Sequence, residues 1–271
     1  MLKNLKYPLL LAFISLILYS CSEYQQILKS NNLQLKYEAA IKYYEQEKYY
    51  KASPLFEELI PLWRGTQKGQ EVYYYYCYCN YYQGYYAVAA YHFKKFAKTY
   101  PNSEHAEECY FMNGYCNYIM SPSPTLDQTN TYHAIDELQL FANHYPNSNL
   151  VDSCNALIDK LRDKLETKAY LNAKLYHKTM YYKSAIVALN NVLKDYPNSK
   201  HKKEILFLIL DSNYRLAINS VESKKQERIK NTIEAYYKFV DLYSGKEPDE
   251  YLDKAENIYK KIIELKEQTN S

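Results

Sequence analysis

The sequence predicts an all-α protein, a solenoid of about five helical hairpins closed by a C-terminal capping helix. Three observations carry that reading. The tetrapeptide YPNS occurs three times, at Tyr100, Tyr145 and Tyr196. Counted back from each tyrosine, residues 4, 7 and 11 earlier are alike: Phe96, Phe93, Ala89; Phe141, Leu138, Ala134; Val192, Leu189, Ala185. Offsets of 4, 3 and 4 keep such residues on one helical face. Glycine is scarce, with five in 271 residues, and they form no phosphate-cradling loop.

In chain order, the opening MLKNLKYPLLLAFISLILYSC reads as an export signal. Lys3 and Lys6 precede a short apolar run, Leu9 to Leu18, too short to span a bilayer comfortably. Leu18-Tyr19-Ser20-Cys21 resembles a bacterial lipobox, which implies residues 1–20 as signal peptide and a lipid on Cys21. A plain secretory signal with an incidental cysteine is the alternative. Residues 21–32 are expected as a lipidated tether, with a reach on the order of 35–40 Å if extended. No acidic run follows Cys21, which points to the periplasmic side.

The folded part is expected over 33–271. Its frame returns without the YPNS tail at Ala52, Phe56, Leu59, Trp63 and at Thr232, Tyr236, Phe239, Tyr243. Spacings between the small residues are 37, 45, 51 and 47. The excess is assigned to a loop at 121–131, where Pro122 and Pro124 exclude helix; to one long helix at 151–178, free of Pro and Gly; and to a charged, solvated helix end at 219–231. A capping helix with a polar outer face is expected from Pro248 to Glu267.

The frame resembles the tetratricopeptide repeat, a pair of antiparallel helices. That family places a small residue and then a large apolar one on the second helix, and a proline twelve after the small residue; Pro101, Pro146 and Pro197 match. It also places a small residue on the first helix, a role Ala40, Cys77, Gly114, Ala173 and Ala217 can fill. Proline disfavours helix in the residue before it, so the second helix stops there. The Asn and Ser that follow read as N-caps of the next helix, with Glu104, Glu107 and Glu108 in its first turn. Residues 71–86, EVYYYYCYCNYYQGYY, favour strand by composition, but the frame makes them a first helix and its turn. Tyr73, Tyr76 and Cys77 take packing positions, whereas Tyr74, Tyr78 and Tyr81 take positions that line the inner groove of such repeats. They read either as a peptide groove or as packing against neighbouring first helices.

A lipobox, five such repeats, a loop before Ala134–Ser148, a long linking helix and the tyrosine-rich run 173–199 together resemble the BamD family, lipoproteins of the outer-membrane β-barrel assembly machine. The resemblance implies a lipid-anchored outer-membrane protein facing the periplasm. Its implied partners are the periplasmic domain of the barrel-inserting subunit and unfolded barrel precursors, whose terminal aromatic suits a groove at Tyr74, Tyr78 and Tyr81.

Other chemistry is poorly supported. A formal net charge of +3 implies no nucleic acid or other polyanion partner. None of the six histidines pairs with another at i, i+4, HExxH and GxSxG do not occur, and Cys77-x-Cys79 has no second pair. No enzyme activity and no cofactor or metal are expected. The five cysteines after Cys21 (Cys77, Cys79, Cys109, Cys116 and Cys154) read mostly as small buried apolar residues. Competing readings are another periplasmic repeat lipoprotein that organises the cell envelope, or a glycan-capture lipoprotein, against which a lone tryptophan, Trp63, argues.

Overall fold

The computed structural model describes residues 23–244 and 250–270. The expected signal peptide (1–20), Cys21 and Pro248 lie outside the described residues. Among the described residues the regular structure is entirely helical, and no helix there is long and apolar enough to cross a membrane.

The chain divides into two compact units. The first takes residues up to Pro122 and Gln128–Leu161. It holds α1 (23–29), α2 (Leu33–Glu45), α3 (Tyr49–Leu62), α4 (Gln67–Tyr82), α5 (Tyr86–Thr99), α6 (Ala106–Met120), α7 (Thr129–His144) and the opening of α8 (Val151–Lys178). The second takes Ser123–Asp127 and everything from Arg162. It holds the rest of α8, α9 (Tyr182–Asp195), α10 (Lys202–Ile218), α11 (Glu222–Tyr243) and α12 (Glu250–Asn270).

The repeating frame is the core. Ala52, Phe56, Leu59, Ala89, Phe93, Phe96, Ala134, Leu138 and Phe141 are fully buried in the first unit; Ala185, Leu189, Thr232 and Phe239 are fully buried in the second. Burying one such Leu or Phe contributes roughly 1.5–3 kcal/mol, so the frame outweighs the strand preference of the tyrosine-rich segment. The small residues of the first helices explain how each pair approaches. A Cβ on Gly114 of α6 would meet Leu138 Cδ2 at 2.8 Å and Cγ at 3.0 Å, so a larger residue would displace the buried Leu138 side chain or push α6 from α7. Some buried polar groups are paired across helices. The Lys36 ammonium reaches both oxygens of Glu58 at 2.5 and 2.6 Å. Glu137 accepts from Lys94 and, at 2.6 Å, from Asn113.

Three of the hairpin turns share one geometry. After α2, α4 and α8 the chain enters the left-handed region at Glu47 (φ 58°), Gly84 (φ 78°) and Met180 (φ 65°). The next N–H then reaches back five residues: Lys48 to Tyr43 O, Tyr85 to Asn80 O and Tyr181 to Tyr176 O, at 2.8, 3.0 and 2.8 Å. This is the Schellman cap, which satisfies carbonyls left open at a helix end.

YPNS proves to be a β-turn rather than a capping segment. In all three copies the serine N–H donates to the tyrosine carbonyl at 3.0 Å, with proline where a turn favours it. The serine Oγ then accepts the N–H two residues on, at His105 (3.3 Å), Leu150 (3.0 Å) and His201 (3.1 Å). The helices start later, at Ala106, Val151 and Lys202, so Asn and Ser are not their N-caps and Glu104 precedes the first turn. Two of these serines also donate onward, Ser148 to Glu107 at 2.5 Å and Ser199 to Glu166 at 2.7 Å.

The tether expectation is corrected for residues 23–29, which form α1 instead of extended chain. Tyr24, Ile27 and Leu28, at helical spacing, pack on the first core, and the Tyr24 hydroxyl donates to Lys51 O at 3.1 Å. The expected long helix spans Val151–Lys178, all 28 residues. The loop is shorter than expected, since α7 takes up the chain at Thr129. Its residue Leu126 is held in the second unit by Lys168, whose Nζ donates to the Leu126 carbonyl at 2.5 Å. Of the charged 219–231 segment, residues 222–231 become the first turns of α11, and 219–221 form the turn before it. On α12, Ala255, Ile258 and Ile262 are buried while Asp253, Lys254, Glu256, Lys260, Lys261 and Glu264 are exposed.

Candidate functional site

Tyr74, Tyr78 and Tyr81 form one line of rings on α4. Centroids of Tyr74 and Tyr78 lie 4.9 Å apart, and those of Tyr78 and Tyr81 6.2 Å apart. The next first helix, α6, covers part of this line. His105 stacks on Tyr74 at 4.0 Å and 22°. Glu108, one turn on, accepts the Tyr74 hydroxyl at 3.0 Å on one carboxyl oxygen and the Tyr78 hydroxyl on the other. Tyr78 also meets Phe93 edge-on and is only 8% exposed. Burial, reinforced by Glu108, raises both phenols far above their usual range, so they stay protonated donors. Tyr78 is therefore a packing residue rather than contact surface. Tyr74 and Tyr81 remain partly exposed. Tyr81 continues into Tyr86 and Tyr115, at 5.7 and 6.5 Å, and Tyr115 stacks parallel to Tyr118.

The second unit builds the same clasp with one exchange. His201 stacks on Tyr170 at 4.1 Å and 8°. Where Tyr78 stands four residues after Tyr74, Lys174 stands four after Tyr170, and it donates to Glu204 at 2.7 Å and to Tyr170 Oη at 3.0 Å. The hydrogen bonds it donates to Glu204 and then to Tyr170 raise the Lys174 ammonium above its usual value. Burial pushes Tyr170 up to about 12. Beyond it, Asp211 accepts from His177 Nε2 at 2.7 Å and Arg215 Nε at 2.6 Å. Burial pushes the Asp211 carboxyl up, but the two hydrogen bonds and their charges outweigh it and hold the group below the usual range. Histidines 105 and 201 were not expected as site residues. Their signal was present: each follows its tyrosine by 31 positions, in YPNS-x-His.

A cavity of about 360 Å³ opens on the other side of α4, between α3 and α5. Tyr73, Tyr76, His92, Arg64, Lys95 and Glu57 are among the residues that line it. Burial, with Lys95 nearby, lowers the His92 imidazole below its ordinary value, and the Tyr73 hydroxyl lies 3.1 Å from its Nδ1. The five described cysteines are buried and unpaired. Burial pushes Cys154 up to about 11 and Cys79 and Cys116 to about 12, so these thiols stay protonated.

Some of the exposed apolar side chains sit at hairpin turns. In the first unit Tyr50 is 64%, Tyr82 50% and Tyr85 57% exposed; in the second, Met180 and Tyr181 are exposed in the turn after α8. Both sets suit contact with a partner surface more than chemistry on a small molecule.

Comparison with known families finds one model, described as YfiO, outer membrane lipoprotein, that matches residues 30–229. No curated protein gives a significant match.

Proposed function

We propose that this chain, which belongs to the YfiO family of outer membrane lipoproteins, is a non-enzymatic scaffold of the machinery that assembles β-barrel proteins in the outer membrane. Family membership over residues 30–229 is the observation that carries the reading. In this reading, lipid on Cys21 holds the chain to the outer membrane on its periplasmic side. The chain then binds the periplasmic domain of the barrel-inserting subunit and receives unfolded barrel precursors.

Two features support a binding role. The clasped histidines and carboxylates stiffen neighbouring first helices, and a rigid helical surface loses little freedom when a partner docks. The partly exposed rings of Tyr74 and Tyr81, beside the buried Tyr78, offer aromatic ring edges to an extended segment ending in an aromatic residue. The test is regulated depletion in the native cell. Folded β-barrel proteins should vanish from the outer membrane before other envelope components change. Unchanged barrel levels together with altered cell shape or division would favour an envelope organiser instead.

A further inference from the structure

The first unit carries an aromatic edge whose position relative to the chain's start suggests an occupant. The turns after α2 and α4 lie side by side there, since Tyr49 stacks on Tyr82 at 4.6 Å and 22°. Tyr50, Tyr82 and Tyr85 project from this edge, each at least half exposed. The α1 helix begins at the same place. The Tyr24 ring lies 5.5 Å from Tyr43, its hydroxyl is bonded to Lys51 O, and the Lys51 ammonium lies 5.4 Å from both rings and 5.9 Å from Tyr50. Cys21 precedes Glu23 by two residues in the chain, and two residues of chain reach at most about 7 Å.

We propose that this tyrosine edge rests on the lipid surface that holds the anchor, seating the first unit on the membrane turn-first. The inference rests on lipidation of Cys21, as proposed above. A lipid so close to the edge leaves too little chain for the first unit to hang free. Tyrosine suits the headgroup layer, where its ring meets apolar tails and its hydroxyl meets water. Lysine beside it extends its stem over the rings and keeps its charge wet. A second attachment beside the acyl chains also fixes orientation, which a flexible tether cannot do.

The native Trp63 makes the test direct, because it is the sole tryptophan and follows α3 at the end opposite Tyr50, about 20 Å away. The lipidated full chain is reconstituted in phosphatidylethanolamine–phosphatidylglycerol vesicles containing brominated acyl chains, which quench nearby indoles. Wild type should keep its Trp63 emission. Tyr50→Trp and Tyr85→Trp should each add emission that is lost as brominated lipid is increased. Leu62→Trp, exposed at the far end of the same helix, should add emission that is not lost. Equal loss at both ends, or none at Tyr50 and Tyr85, would overturn the proposal. Intact-mass measurement of the same samples reports the anchor separately. If Cys21 carries no lipid, the lipoprotein reading fails. The edge is then tested by coupling a diacyl maleimide to Cys21, the buried cysteines being protected, and the same pattern or its absence decides.

Discussion

Glu108 holds both of its oxygens toward phenols of the preceding first helix, and this fixes what Tyr74 and Tyr78 can do. Substituting Glu108→Ala should leave the buried Tyr78 hydroxyl and the half-buried Tyr74 hydroxyl without this acceptor and lower stability by about 1–3 kcal/mol. Urea unfolding of Glu108→Ala against Glu108→Gln, which keeps an acceptor, checks it. Asp211 sets a pH signature in the other unit. Its folded carboxyl titrates below the ordinary value, which is about 3.9. The stability it adds is therefore complete above that value and is lost as pH falls through the lowered folded pKa. Asp211→Asn should thus be clearly destabilising at neutral pH, with the gap to wild type closing under acid, as read by denaturant midpoints across that range. At this scale the sequence was only half legible. The rings of Tyr74, Tyr78 and Tyr81 could be placed on one face from periodicity. Their partners could not, because His105 and Glu108 stand more than twenty positions away, and only the stacking of helices makes them neighbours.

Each helix boundary follows from local chemistry where that chemistry is strong. The 28 residues of α8 lack Pro and Gly, and helix formers dominate, so both ends could be read directly. YPNS stopped a helix as expected, yet its serine was misplaced as a cap. Ser and Asn serve β-turns and N-caps alike, and a few residues of difference separate the two. The α1 helix was missed because seven residues carry too little periodic signal to distinguish them from chain. Shared turns allow a paired test. Gly84 and Met180 hold the same left-handed position, where a side chain costs about 1–2 kcal/mol. Gly84→Ala should therefore destabilise by about 1 kcal/mol. Met180→Gly should be stabilising, by roughly 0.5–1 kcal/mol after the added freedom of the unfolded chain is offset. Thermal melts of the two single variants give the signs; destabilisation by both would contradict the shared turn.

Across the whole chain, one frame of small and large residues accounts for the core of both units, and it was the most legible feature because burial repeats with a helical period. The scaffold role needs more than this frame. It depends on where a lipidated Cys21 places the chain and on which protein meets its exposed turns and first helices. The most direct measurement is affinity purification of the tagged chain from native membranes in mild detergent, followed by mass spectrometry of what remains bound. The account predicts the barrel-inserting subunit in near-stoichiometric amount, with lipid on Cys21 of the recovered chain. Recovery of the lipidated chain without that subunit, under conditions that keep other membrane complexes intact, would contradict it.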